Sequence, residues 1–593
     1  MARTIRIGGA CAFYGDSSVA PTQLIAAGVD YMILDYLAEA TMSVLGNMKR
    51  RRADLGYAAD FTEWVWKDNL RALKETGTRI VTNAGGVNPQ GCAARMAKIA
   101  ADAGLSFRIA IVEGDDLLGR VGELCDQPEL FTGTPFPPAE TIVTANAYLG
   151  ATPIARALAL GADVVITGRV VDSALTLGIL MHEFNWTAAD CDLLSAGSLA
   201  GHVIECGAQG SGGLFTDWED VPDWAHIGYP IVECHADGTF VVTKPPGTGG
   251  LVSRAVVAEQ ILYEVGDPQA YLLPDVVCDF TQVTVEQIGE HRVRVSGAIG
   301  YPPSGRYKVS ITHTDGDRCI AFMPIVGRDA ARKAQRQAEA VLTRVEDMLR
   351  DHNLAPFRAK RIEVIGAEAS YGANARAQAT REVICKIAVE HGDAQAFRYF
   401  LREFDSSTTS MAVGTTGWFG GRGQVTPVMR VFSCLIERDT VPVTVTVDTT
   451  EPVATPPLAN RFDPDMIVRP AAGENAPQAD TVRTVPLIDL AWARSGDKGD
   501  AFNIGVIARK PEYLPYIRAA LTPEAMRQFF AHEFEGARNP AVHRYEIPGL
   551  DALNLHFLDA LGGGQFASLR LDPLAKGKAQ QLLDFEVPVP ELL

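Results

Sequence analysis

The chain has 593 residues, with 54 Lys+Arg against 72 Asp+Glu and a formal net charge of −18. Apolar residues make up 47% and charged residues 21%, a globular balance that excludes wholesale disorder and allows several buried cores. The acid excess argues against nucleic acid as a partner, because phosphate binding needs clustered Lys and Arg. One basic run, Lys49-Arg50-Arg51-Arg52, reads as a solvated helix end. The 10 cysteines include no CxxC pair, a pattern of reduced thiols rather than a disulfide framework. No apolar core follows the first charges, so no signal peptide is expected. The longest charge-free runs, Ser406–Gly421 and Thr141–Ala155, fall short of the roughly 18 residues a membrane helix needs. A cytoplasmic chain without membrane contact is the expectation, and homo-oligomerisation a reasonable one for a metabolic protein of this size.

In chain order, the first 185 residues alternate short apolar runs with amphipathic stretches. Strands are predicted at Thr4–Gly8, Tyr31–Asp35, Arg79–Asn83, Phe107–Glu113, Thr141–Asn146 and Asp163–Thr167. Helices are predicted at Trp64–Glu75, Gln90–Ala103, Thr152–Leu160 and Asp172–His182, with Asn88-Pro89 as a capped start. Strands apolar throughout, each followed by a helix, indicate a mostly parallel α/β sheet covered on both faces. From 186 to 447 the pattern becomes α+β. IVECHADGTFVVT reads as a hairpin turning at Asp237-Gly238. Val276–Phe280, His291–Ser296, Tyr307–His313, Arg361–Ala367 and Val443–Val447 read as strands, and Ala330–His352 as a long helix. Residues 448–482 hold six prolines and read as a linker. Residues 483–593 resume a compact β/α alternation and are expected to form a small separate domain.

The polar residues of the first 185 positions gather at predicted strand ends: Asp16 and Ser17, Asp35, Asn83 with Gly85 and Gly86, Glu113 with Asp115 and Asp116, Asn146, and Arg169 with Asp172. In parallel sheets the carboxyl ends of the strands form the ligand crevice; each of Asp16, Asp115 and Asp172 also suits a helix cap. The first turn lacks G-x-G-x-x-G, and neither a P-loop nor G-x-S-x-G occurs. A second constellation is GHVIECGAQGSGG, residues 201–213. A helix through Cys206 would put His202, Glu205 and Cys206 on one face, either as an acid–base pair or as metal ligands. The glycines after it, around Gln209 and Ser211, could offer backbone donors to an anion. Lys244, Arg306 and Lys308 lie beside turns, Thr415–Gly423 reads as a surface loop able to act as a lid, and Ala493–Asp500 places paired charges in a glycine-containing turn.

RIGGACAFYGDS, TNAGGVNP, GADVVITGRVVDSAL, GHVIECGAQGSGG and ARSGDKGDAFNIG together resemble the acyclic terpene utilisation protein A (AtuA-like) family over nearly the whole chain. The last motif resembles the ferredoxin-like C-terminal domain that many members carry. The resemblance implies a main domain over 1–447, a ferredoxin-like domain over 483–593, and a place in breaking down branched acyl-CoA intermediates. It supplies no catalytic residues. The expected activity is a hydratase or dehydratase acting on a branched, carboxylated acyl-CoA or related organic acid. Glu205, His202, Asp16 and Asp172 would serve as acids and bases. Arg169, the one cation at the six strand ends, would hold a substrate carboxylate in its fork. Ser17, Asn83, Gly85, Gly86, Glu113, Asn146, Gln209 and Ser211 would line the site, with Lys244, Arg306 and Lys308 meeting CoA phosphates. No cofactor is firmly implied beyond CoA as part of the substrate; a divalent metal is possible. The alternatives are a metal-assisted hydrolase or carbon–carbon lyase, and a non-catalytic acyl-CoA-binding or scaffold subunit.

Overall fold

The computed structural model describes residues 3–417, 419–471, 473 and 482–591. Its main sheet has eleven strands. The central five run parallel in the order Thr4–Gly9, Tyr31–Leu34, Arg79–Thr82, Val164–Thr167, Ile109–Glu113. Tyr31–Leu34 and Val164–Thr167 are buried at every position, as a sheet covered on both faces requires. The Asp237-Gly238 hairpin, Ile231–His235 with Phe240–Thr243, adds antiparallel beside Thr4–Gly9. On the far edge, Thr444–Thr446 and Thr450–Pro452 add antiparallel to Ile109–Glu113. The sheet is therefore parallel at its centre and antiparallel at both flanks, rather than mostly parallel.

One predicted parallel strand belongs elsewhere. Ile142–Ala147 pairs antiparallel with the 21-residue strand Arg306–Val326, in a second sheet with Gln424–Glu437, Glu382–His391 and Ala359–Ile365. All six of its residues are buried, so its apolar pattern matches that of a parallel strand. Its partner lies about 165 positions away, where local pattern carries no information. Helices Ala330–Asp351 and Ala394–Ser410 cover this second sheet, with Phe397, Phe400 and Phe404 packed into its core.

The predicted Asn88-Pro89 start is a capped helix over Pro89–Asp102, Asn88 Oδ1 accepting from the Gly91 amide at 3.1 Å. The described part of the proline-rich segment is largely exposed or half-buried and touches the main body at a few points. Thr450–Pro452 closes the main sheet at its edge, where proline is tolerated. Arg469 bonds Asp267 through both terminal nitrogens; Pro477 lies outside the described residues. The C-terminal region carries a four-stranded antiparallel sheet in the order Ala491–Lys498, Ala501–Ala508, Ala552–Leu558, Ala541–Ile547. Helices and a two-stranded ribbon, Val482–Pro486 with Glu586–Pro590, accompany it over a phenylalanine-rich core.

Candidate active site

The parallel strands deliver Asp35, Asn83 and Thr167-Gly168-Arg169 to one rim, as a strand-end crevice requires. Asp35 is buried at 5% exposure, and Asn83 Nδ2 donates to its Oδ1 at 2.6 Å. Burial and the neighbouring Asp172 push the Asp35 carboxyl well above its ordinary range, with Glu205 adding to them; Arg169 and the Asn83 hydrogen bond oppose this without offsetting it. The balance of these effects favours the protonated form of Asp35 relative to an exposed aspartate.

Arg169 is the centre of the rim. One of its terminal nitrogens donates to Asp172 Oδ1 at 2.5 Å and to the Val170 carbonyl at 3.0 Å. Its guanidinium lies 4.1 Å from the centre of the Tyr148 ring. One terminal nitrogen of the guanidinium is thus engaged by Asp172 and Val170, while Nε has no partner among the described residues. Tyr148 donates its hydroxyl to Glu39 at 2.6 Å, and the Lys308 ammonium stands 3.5 Å from Glu39. Burial alone would raise the Glu39 carboxyl, but Lys308 and Arg169 outweigh it and hold it far below the carboxylate range. Lys308 therefore belongs to the rim, and Arg169 is not its lone cation.

Asp115 and Asn146 hold this arrangement from beneath. Asp115 Oδ2 accepts from Asn146 Nδ2 at 2.8 Å and from the Arg169 amide at 2.7 Å. Gly168 is needed here because a Cβ would fall 2.3 Å from Asp115 Oδ1. Asn146 Oδ1, Arg169 Nε and Ser310 Oγ are buried without a hydrogen-bond partner among the described residues. All three residues line a cavity with Glu39, Met42, Thr144, Tyr148 and Thr312.

The helix Cys191–Ile204 ends just before Glu205, which lets His202 Nδ1 and Glu205 Oε1 meet at 3.0 Å. His202 is buried, and its Nε2 has no partner among the described residues. Cys206 falls beyond the helix, and burial together with Glu205 and Glu264 pushes its thiol well up, away from the thiolate a metal needs. Among the described residues, no group of three or more His, Cys, Asp and Glu is arranged to hold a metal ion.

Several expected site residues serve the fold instead. Asp16 closes its own loop, accepting from the Ala12 and Ser17 amides at 2.9 and 2.6 Å and from the Tyr229 hydroxyl at 3.2 Å; Ser17 is exposed. Gly85 packs against the Thr167 carbonyl, and the Gly86 amide is taken by the Asn83 carbonyl. Glu113 accepts from Gln90 at 2.8 Å. Ser211 spends its hydroxyl on the Ala208 and Gly228 carbonyls, and Gln209 accepts from Arg494. Lys244 donates to the Thr248 carbonyl at 2.6 Å, while Arg306 is exposed beside Glu437 at 2.8 Å. Lys244 is thus engaged within its own turn, and Arg306, on the same strand as Lys308, is engaged by Glu437.

The sequence places Asp35 at the end of its strand with Glu39 one turn on, gives neither a catalytic role, and misses Tyr148. Lys498, at the end of the strand Ala491–Lys498, is half exposed. Burial would lower its ammonium pKa, but Tyr271, Glu264, Asp172 and Glu39 raise it well above the usual lysine range.

Comparison with known proteins settles the family. The family model for acyclic terpene utilisation family protein AtuA matches residues 5–447, and that for the AtuA ferredoxin-like domain matches 485–588. The chain belongs to the AtuA family. No curated protein and no solved structure matches it. Among the described residues, no helix is long and apolar enough to cross a membrane.

Proposed function

We propose that this AtuA-family protein is a lyase of the hydratase/dehydratase type. Its substrate would be a branched acid bearing a carboxylate, free or as part of an acyl-CoA, within acyclic terpene or branched-acid breakdown. The observation that carries this reading is the pairing of two unlike carboxyl groups at one rim. Asp35 is buried and its carboxyl pKa is pushed up, while Asp172 is ion-paired with Arg169. Two carboxyl groups in unlike surroundings can divide acid and base roles at one site.

In the dehydration direction, the Asp172 carboxylate takes the proton beside the substrate carbonyl. The electron pair of that C–H bond forms the new C=C bond. Asp35 then gives its proton to the departing hydroxyl, which leaves as water. Hydration is the reverse, with each proton returned to its donor. Arg169, fixed between Asp172 and the Tyr148 ring, places positive charge beside the enolate oxygen as it develops. Buried His202, oriented by Glu205, supplies a second proton donor or acceptor.

The test is turnover. Full-length protein is incubated with a panel of branched enoyl- and 3-hydroxyacyl-CoAs and the corresponding free acids, and products are followed by mass. Gain or loss of 18 Da, the mass of one water, on at least one panel member supports the reading; a folded protein that changes none of them overturns it.

A further inference from the structure

The strand Arg306–Val326 alternates over its first turns of sequence, as a strand with two unlike faces must. Val309 and Ile311 face the apolar core, so Lys308, Ser310 and Thr312 share the opposite face, where Lys308 meets Glu39. Ile142–Ala147 lies antiparallel beside it and sets Asn146 directly opposite Ser310 and Thr144 opposite Thr312. Cross-strand partners on one face stand close enough to bond. The two threonines do so, hydroxyl to hydroxyl at 2.7 Å. Ser310 Oγ and Asn146 Oδ1 do not, and neither has another partner among the described residues.

The chemistry of this unspent set is specific. Asn146 Nδ2 is held by Asp115 Oδ2, which also takes the Arg169 amide, so the side-chain amide is fixed and its Oδ1 can only accept. Arg169 Nε can only donate, and Ser310 Oγ can do either. The three residues are 2, 3 and 6% exposed for Asn146, Arg169 and Ser310, and they line one cavity. Its volume is about 10 Å³, room for a single water-sized group, between Met42 and the Tyr148 ring. Glu39, with 27% of its side chain exposed, is the least buried of the lining residues and marks the mouth. A carboxylate offers nothing to Asn146 Oδ1 and meets the charge of Glu39, while an ammonium offers nothing to Arg169 Nε. A hydroxyl oxygen serves both, accepting from one and donating to the other.

We propose that this cavity binds the substrate's hydroxyl group, which accepts from Arg169 Nε, donates to Asn146 Oδ1 and takes Ser310 as its third partner. The inference rests on the lyase reading above and names what the substrate carries: a hydroxyl presented to the same guanidinium that holds Asp172 through another nitrogen. Ser310 is then a specificity-determining residue supplied by the second sheet, not by the parallel strands that carry Asp35 and Arg169. A site built to hydrogen-bond a hydroxyl discriminates against the analogue that lacks it.

Two small acids are the probes, 3-hydroxy-3-methylbutyrate and 3-methylbutyrate, which differ only in the hydroxyl. Each is titrated against the full chain, with protection from thermal unfolding as the readout. The native chain is expected to bind the hydroxy acid about tenfold or more tightly than its counterpart, the size of one hydrogen bond to a charged donor. Ser310→Val adds bulk to the cavity and should bring that preference within about twofold. Ser310→Ala removes one of the three partners and should cut it by about threefold or more. The unliganded melting temperature of Ser310→Ala should stay near the native value, because the Ser310 hydroxyl bonds no other group among the described residues. Equal affinity of the native chain for the two acids, or a preference unchanged in either folded variant, overturns the proposal and leaves the cavity to an ordinary buried water. A native chain that neither acid protects overturns it as well. The activity reading is judged separately. Turnover in the acid and CoA panel without any hydroxyl preference sinks this inference alone. A preference that falls in the Ser310 variants, without turnover of any panel member, sinks the lyase reading alone.

Discussion

The strand-end rim and the interdomain seam bury acids of the same kind with opposite results. At the rim, Asp35 shares its surroundings with Asp172 and Glu205, and its pKa rises. At the seam, burial alone would raise Glu264, but Lys576 at 2.6 Å and Lys498 outweigh it and bring it to about 2. Burial is common to both; the sign follows from whether the nearest charge is like or opposite. A paired buried acid holds structure together, whereas a crowded one holds its proton more tightly and is suited to donating it. Glu39, four residues from Asp35, makes the same point within the rim, since Lys308 and Arg169 drive it down.

Breaking the comparison at the rim should have the largest effect. Asp35→Asn keeps the shape and the Asn83 contact but removes the proton, and turnover should fall by about 10²- to 10⁴-fold, the usual worth of a general acid. Circular dichroism and melting temperature should stay near those of the native chain. A variant that keeps native turnover would assign the acid role elsewhere.

At the seam the expected loss is stability. Lys576→Met leaves Glu264 without its closest cation and Asp497 without a partner. Unfolding in urea should show a cost of about 1–3 kcal/mol, reduced from the fully buried case because these side chains are partly exposed. No change in the midpoint would mean that the seam is held by its apolar and backbone contacts alone.

The two settings also predict opposite pH slopes. Glu264 has a folded pKa below its unfolded value of 4.5, so its contribution is complete above that pH and is lost as pH falls toward about 2. Asp115, beneath the rim, is raised by burial to about 7 against the Arg169 and Asn146 hydrogen bonds that favour its charge. Between its unfolded value of 3.8 and about 7 the native state binds the extra proton, so stability declines as pH rises through that window. Comparing native and Asp115→Asn chains by urea unfolding at pH 5 and pH 7 isolates this slope. It should be shallower in the variant, and equal slopes would remove Asp115 from the account.

The smallest effect is expected at Arg306, grouped with Lys308 by sequence but placed by the fold on the surface beside Glu437. Arg306→Gln should change stability by less than about 0.5 kcal/mol, as for exposed ion pairs, and leave turnover unaltered. A large loss of turnover would assign Arg306 a part in binding substrate.

Much of this was legible in the chain. Tyr31–Leu34 and Val164–Thr167 announced parallel pairing by being apolar throughout, and Asn88-Pro89 announced its helix, because both signals are local. His202 and Glu205 are three apart, so their pairing could be read from helix geometry. What local pattern left hidden was every decision that joins distant segments. Ile142–Ala147 reads as a parallel strand, and only its antiparallel partner Arg306–Val326 brings Asn146 to Asp115 from another sheet. Asp35 and Glu39 look alike as acids near a strand end, and their opposite titration is set by Asp172 on one side and Lys308 on the other. Sequence alone therefore determined the family, five of the six strands predicted to pair in parallel, and the rim as a place where polar groups collect. Tertiary structure decided which buried carboxyl is pushed up and which is pulled down, and that Lys308 stands against Glu39 at the rim. The physical reason is that backbone preferences act over a few residues, whereas pKa values and ion pairs depend on charges folded to within a few ångströms from anywhere in the chain.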